Sequence, residues 1–207
     1  MFRDPIEILK SLPAVFLAMS FHEFAHAFMA NHLGDPTPRN QGRLTLDPLV
    51  HIDWMGLVMF AVFGFGWAKP VKVNPSNFKN KKWGDIIVSL AGPIANLLLA
   101  VLGTIIYVLL IRFYTVPIDA IMDIIHYIIY LNIIFAILNI IPIPPFDGYH
   151  VLKDLFFRRN AKFFWKYEQY SMYILFAFIL LGLFNIIVDK PAIAIYQFLL
   201  SIGLYIF

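Results

Sequence analysis

The chain has 207 residues, 60% of them hydrophobic and 14% charged, with a mean hydropathy of +0.75. Soluble domains carry about 25% charged residues, so this composition excludes an ordinary soluble protein and points to an integral membrane protein. The net charge of +3 comes from basic residues grouped mainly in two loops, which suits the anionic cytoplasmic face of a bilayer rather than nucleic acid. The lack of cysteine excludes disulfides, thiolate metal sites and cysteine nucleophiles.

The first apolar run, 11–33, contains SFHEFAHAF, residues 20–28. Ionisable groups inside a membrane helix are costly, by at least ~2.5 kcal/mol each on insertion scales, and default to function. His22 and His26 are four apart, so on a helix both rings face the same way and can reach one ion. Glu23 lies about 100° further round the helix axis, placed to work on water beside the metal without ligating it. This is the HExxH pattern of two imidazole ligands and a carboxylate base. The plainer reading is a pair of packing histidines and a neutral Glu. Catalytic zinc takes three protein ligands and keeps one position open. His32 has the spacing of the longer HExxHxxGxxH motif, but Met29 stands where that motif needs Gly, so His32 reads as a residue at the helix end before Gly34.

Further apolar runs follow at 54–67, 86–111, 118–141, 170–188 and 192–207. A helical span needs roughly 20 residues, so 54–67 is too short to cross comfortably and reads as re-entrant or tilted. Between the first and third runs, GRLTLDP (42–48) and AKPVKVNP (68–75) alternate in polarity and end in Pro, which predicts short strands. Such backbone cannot face lipid and must line a cavity or lie at the water boundary. The fold expected is an all-α polytopic membrane protein of five or six transmembrane helices, with a short membrane-associated β element. One domain is expected over 1–207, its core about 11–155 and its C-terminal helices about 165–207. No room is left for a soluble appendage, and the N-terminal run reads as retained rather than cleaved.

A second candidate segment is LNIIPIPPFDGYHVL, 138–152. Pro142, Pro144 and Pro145 end the helix and force extended backbone, which can turn Asp147 inward. The same pattern also suits an ordinary Pro-Asp-Gly turn capping an interfacial helix.

HEFAH (22–26) and NIIPIPPFDG (139–148) together resemble the motifs of the site-2 protease family of intramembrane zinc metalloproteases. AGPIAN (91–96) is similar to a third element of that family, and GRLTLDP and GWAKPVKVNP to a compact prokaryotic branch. The resemblance covers roughly residues 20–155. It implies one Zn2+ per chain held by His22, His26 and Asp147, with Glu23 activating the water. It also implies a prokaryotic cell-membrane location and substrates that are membrane-anchored proteins. The chain departs from many relatives in having no span before the HExxH helix, and in carrying His150 after the second motif.

Asn96 and Asn139 are neutral amides near the implied site, readable as oxyanion or substrate contacts or as helix–helix hydrogen-bonders. An edge of GRLTLDP or AKPVKVNP is placed to hold an extended substrate by strand addition. Asp85 reads as a helix cap, His126 as a packing or interfacial residue, and His51 with Asp53 as polar residues bordering the short apolar segment, with rival ligands the less favoured reading. Charge does not fix topology, because twelve of the 16 Lys and Arg fall inside in both the five-span and six-span arrangements. Metal geometry favours five spans, since His26 and Asp147 share a depth most simply when their helices end on one side. That puts the N-terminus outside, the C-terminus inside and the site towards the cytoplasm. The competing functions are a membrane transporter, for which no inverted repeat is visible, and a non-catalytic metal-binding protein, which the intact Glu23 argues against. A regulatory membrane protein of unknown identity is a further partner expectation.

Overall fold

The computed structural model describes residues 4–63, 66–113 and 119–206; Arg3 and Phe207 fall outside them. Helix α1 (Pro5–His32) starts where the Asp4 carboxylate accepts the Ile6 N–H at 2.9 Å and Pro5 supplies a preset φ. It ends before Gly34, at φ 104°. Two single turns follow, α2 (Thr37–Asn40) and α3 (Pro48–His51), then the apolar helix α4 (Trp54–Phe63). The long helices α5 (Lys81–Phe113) and α6 (Asp119–Ile140) come next. Helix α7 (Asp147–Gln169) is polar and half-exposed, α8 (Ser171–Leu180) short and apolar. A π-helical turn, Asn185–Asp189, opens α9 (Lys190–Ile206).

The site is framed by α1, α5 and α6, which pack on one another. Ala14, Val15 and Met19 of α1 are buried with Leu131 of α6 and Phe60 of α4. A second cluster joins Ile129 and Ile133 of α6 to Leu175 and Phe178 of α8 and to Val188 and Ala192 at the start of α9. The starts of α1 and α6 meet at one face, where Lys10 Nζ lies 2.6 Å from Asp123 Oδ2. Gly203 of α9 packs on Val108, near the end of α5 that adjoins this face.

Four helices among the described residues are long and apolar enough to cross a bilayer: Pro5–His32, Lys81–Phe113, Asp119–Ile140 and Asn185–Ile206. The apolar run 170–188 is not one continuous helix. Gly182, at φ 68°, breaks it, and its tail joins α9. Helix α4 is 10 residues long, about 15 Å at 1.5 Å per residue, half a bilayer core. The chain then doubles back, with Trp67 backbone against Gly56, Ile52 bridging Ala68 and Lys69 N–H donating to His51 O at 2.8 Å. That single antiparallel bridge is what the described residues contain where two short strands are expected. Pro48 starts a helical turn, with Asp47 capping Leu49 N–H at 2.9 Å, and Pro70 has no N–H to offer a ladder. Asp85 does not cap α5; the Asn80 side chain does, accepting the Trp83 N–H at 3.2 Å.

Candidate metal centre

His22 and His26 lie in the C-terminal half of α1, buried to 8% exposure, on the face that meets α5. The two helices run antiparallel, so Val88, Gly92 and Asn96 of α5, spaced by four, form a stripe along the imidazoles. His26 Nδ1 donates to Val88 O at 2.7 Å. His22 Nδ1 lies 2.7 Å from Asn96 Oδ1. Gly92 is the floor between them. A Cβ there would sit 2.5 Å from His22 Cε1 and 2.6 Å from His26 Nε2, so only hydrogen fits. Gly92→Ala is expected to push both rings off their partners. Overpacking of this kind costs about 1–3 kcal/mol, which corresponds to zinc bound roughly 10- to 100-fold more weakly, measured by chelator competition.

Asp147 reaches the same point from the other end of the sequence. The proline-rich turn ends α6, and α7 begins at Asp147. Gly148 lets this start press against the last carbonyls of α6, since a Cβ there would overlap Ile140 O. Asp147 Oδ2 lies 3.1 Å from His22 Nε2 and 3.3 Å from His26 Nε2, and the two Nε2 atoms are 2.9 Å apart. Among the described residues these three form the one group of His, Asp or Glu side chains close enough to share an ion. His32 ends α1 outside it. His51 is buried on Thr45 O at 2.8 Å, and Asp53 accepts the Gly56 N–H, so neither joins the group.

The donor set fits zinc. Tetrahedral bonds of about 2.0–2.1 Å separate neighbouring ligand atoms by about 3.3 Å, close to the spacings here. Both Nδ1 atoms face acceptors, which makes them the protonated nitrogens and leaves both Nε2 lone pairs inward. Asp147 Oδ2 is buried with no hydrogen-bond partner. Three lone-pair atoms aimed at one point, with an orphaned carboxylate oxygen among them, is an arrangement that a cation satisfies.

Glu23 is not part of this triangle. Its Oε2 accepts the Val71 N–H at 2.8 Å, from the extended segment 66–74 that crosses the site. That segment is fixed further along by Asp35, whose carboxylate accepts Asn74 N–H at 2.7 Å, Asn77 Nδ2 at 2.6 Å and Thr37 Oγ1 at 2.6 Å. Burial raises the Asp35 pKa, but these bonds outweigh it and hold the carboxyl below its usual range. Val71 and Asp35 carry no sequence signal for these roles, since every residue but Pro offers an N–H and Asp35 resembles any turn aspartate.

Asn96 is fully buried, and both its N–H bonds are engaged: Nδ2 donates to Ala18 O at 3.0 Å and to Asn132 Oδ1 at 2.8 Å. It has no donor left for an oxyanion and instead holds His22. Asn139 is half-buried, with Nδ2 donating to Phe135 O at 3.0 Å.

The sequence profile of Peptidase family M50 matches residues 114–182, the part that holds Asp147. The chain is 38% identical over 160 residues to a Bacillus subtilis protein provisionally named zinc metalloprotease YwhC, covering 73% of this chain and 71% of that one. The chain belongs to peptidase family M50, the site-2 protease family. Rip2 of Mycolicibacterium smegmatis, also provisionally named a zinc metalloprotease, is 35% identical over 143 residues, and Rip2 of Mycobacterium tuberculosis is 33% identical over 142. The matches span 53% of each Rip2, about half its length. No solved structure matches the chain. Membership of M50 makes the chain a zinc-dependent protease of the membrane interior. The transporter and scaffold readings are not favoured.

Proposed function

We propose that His22, His26 and Asp147 hold a single zinc ion, and that Glu23 is the general base for hydrolysis of a peptide bond in a membrane-anchored protein. The observation that carries this reading is the approach of Asp147 Oδ2 to both imidazoles, at 3.1 and 3.3 Å, from a helix remote in sequence. Zinc bound there supplies Lewis acidity, which polarises a peptide carbonyl and makes water acidic enough to lose a proton near neutral pH. Glu23 takes that proton and passes it to the departing amine. The Val71 N–H holds the carboxylate at one oxygen, so its direction does not depend on substrate. Segment 66–74 runs extended past Glu23 and suits a substrate strand laid beside it. Asn139 has a second amide N–H without a partner among the described residues, which makes it the better of the two amides as a contact for substrate carbonyl.

Four crossings, one fewer than the lower count from the apolar runs, agree best with the helix lengths, with α4 and α8 entering only part-way. The charge bias is unaltered by this count: Lys69, Lys72, Lys79, Lys81, Lys82, Lys153, Lys162 and Lys166 lie on the face towards which α1 and α6 end, which makes that face cytoplasmic by the positive-inside rule. The site then opens towards the cytoplasm, and α9 returns to the face where α1 begins, so that the C-terminus lies outside and not inside as the five-span arrangement expects. The whole chain works as one protease domain.

The test is cleavage of a single-span substrate in vesicles of bacterial lipid. A strong zinc chelator is expected to abolish cleavage, and added zinc to restore it. Cleavage at full rate by chelated, zinc-free protein would overturn the assignment.

A further inference from the structure

We propose that Asn132 is a positioning residue for the metal centre: it locks the side-chain amide of Asn96, and through it the tautomer of His22. The inference rests on the reading of His22 as a zinc ligand.

Asn132 lies in the middle of α6 and is fully buried. An amide at this depth loses water and must find partners within the protein. Its Nδ2 donates to Ile128 O, one turn back, at 2.8 Å. A backbone carbonyl only accepts, so this bond fixes which end of the amide is nitrogen. Asn132 Oδ1 is thereby turned to Asn96 Nδ2, at 2.8 Å. The second N–H of Asn96 goes to Ala18 O at 3.0 Å. Two acceptors therefore face the nitrogen of Asn96. Flipping that amide would set its oxygen against both of them. Asn96 Oδ1 is held towards His22 Nδ1 at 2.7 Å, so Nδ1 carries the hydrogen and Nε2 keeps the lone pair that faces Asp147 and His26.

The two histidines differ in what they need. His26 Nδ1 faces the carbonyl of Val88, which has one role and needs no lock. His22 faces an amide, which can present either oxygen or N–H. Without Asn132, Ala18 O alone opposes the flip. A flipped Asn96 would offer N–H to Nδ1, leaving the hydrogen on Nε2 and closing it to metal.

The test uses the full chain in lipid nanodiscs. Asn132→Leu keeps the branching of the side chain and removes the acceptor; zinc affinity by chelator competition is expected to fall about 10- to 100-fold, as when the outer-shell partner Asn96 is itself lost. Asn132→Asp, neutral at this depth, keeps an oxygen for Asn96 and an O–H for Ile128 O, and is expected to stay near wild type. On an Asn96→Ala background Asn132→Leu should cost nothing further, because the amide it locks is gone. Nitrogen-15 NMR of histidine-labelled apoprotein, at a pH where the ring is neutral, should show His22 with hydrogen on Nδ1, assigned by its loss in His22→Ala. Zinc affinity unchanged in a folded Asn132→Leu protein, or a fully additive loss on the Asn96→Ala background, overturns the proposal. If Asn132→Leu does not fold, an Nε2–H form of His22 in the wild type overturns it without any variant. Full zinc retention by His22→Ala would instead remove the ligand reading beneath it.

Discussion

Glu23→Gln is expected to leave zinc content unchanged and to lower the rate of substrate cleavage by about 10²–10⁴-fold, the usual contribution of a positioned acid–base group. Glu23 stands outside the triangle of His22 Nε2, His26 Nε2 and Asp147 Oδ2, so ion binding does not need its charge. Gln has the same shape, and its amide oxygen can still accept the Val71 N–H that Glu23 Oε2 accepts at 2.8 Å. The backbone of segment 66–74 therefore has no reason to move, and only basicity is lost. Elemental analysis of purified protein together with single-turnover cleavage separates the two effects. Loss of zinc in this variant would place Glu23 among the ligands, and a normal rate would move the base elsewhere.

The HExxH half of the site was legible because helix geometry alone puts residues i and i+4 on one face. From its own residues Asp147 was legible only as an acid on an unwound segment, and its place as third ligand came from the family resemblance of NIIPIPPFDG. Its arrival at the imidazoles depends on the packing of α5 against α1 and α7 and on the approach of Gly148 to the end of α6, neither of which is a local property. Asn96 shows in the sequence as a polar residue in a span. Its role as a hydrogen-bond partner of His22 emerges only when α1 and α5 are set antiparallel, which aligns Val88, Gly92 and Asn96 with the two rings. Val71 acts through its main chain and leaves no trace in residue type. Hydropathy joined 170–188 into one run because every residue near Gly182 is apolar, while the break there is a matter of φ. Alternation in 42–48 and 68–75 suggested strands, but the prolines that bound those stretches also remove donors or start helical turns.

Asp147→Ala should separate binding from stability in the opposite sense to an ordinary core substitution. It removes the only anionic donor and leaves two neutral nitrogens 2.9 Å apart. Zinc affinity is expected to fall by more than the ~10–100-fold typical of outer-shell losses, with cleavage falling alongside. In the apoprotein the same change takes away a carboxylate oxygen that is buried, unpartnered and turned towards two lone pairs. What is lost there is the favourable placement of an acid in the first turn of α7, worth about 0.3–1 kcal/mol. Unfolding of zinc-free wild type and variant in detergent, at a pH where both rings are neutral and make no ion pair with Asp147, should therefore nearly coincide. With zinc at ~1,000 times the wild-type Kd, the wild type gains about 4 kcal/mol by linkage and a variant bound ~100-fold more weakly about 1.4 kcal/mol, so the curves should part. A variant as destabilised without zinc as with it would make Asp147 a structural residue. A group that adds little to the apo fold and much to the metal-loaded one is selected for the ion, which is the physical meaning of an active-site ligand.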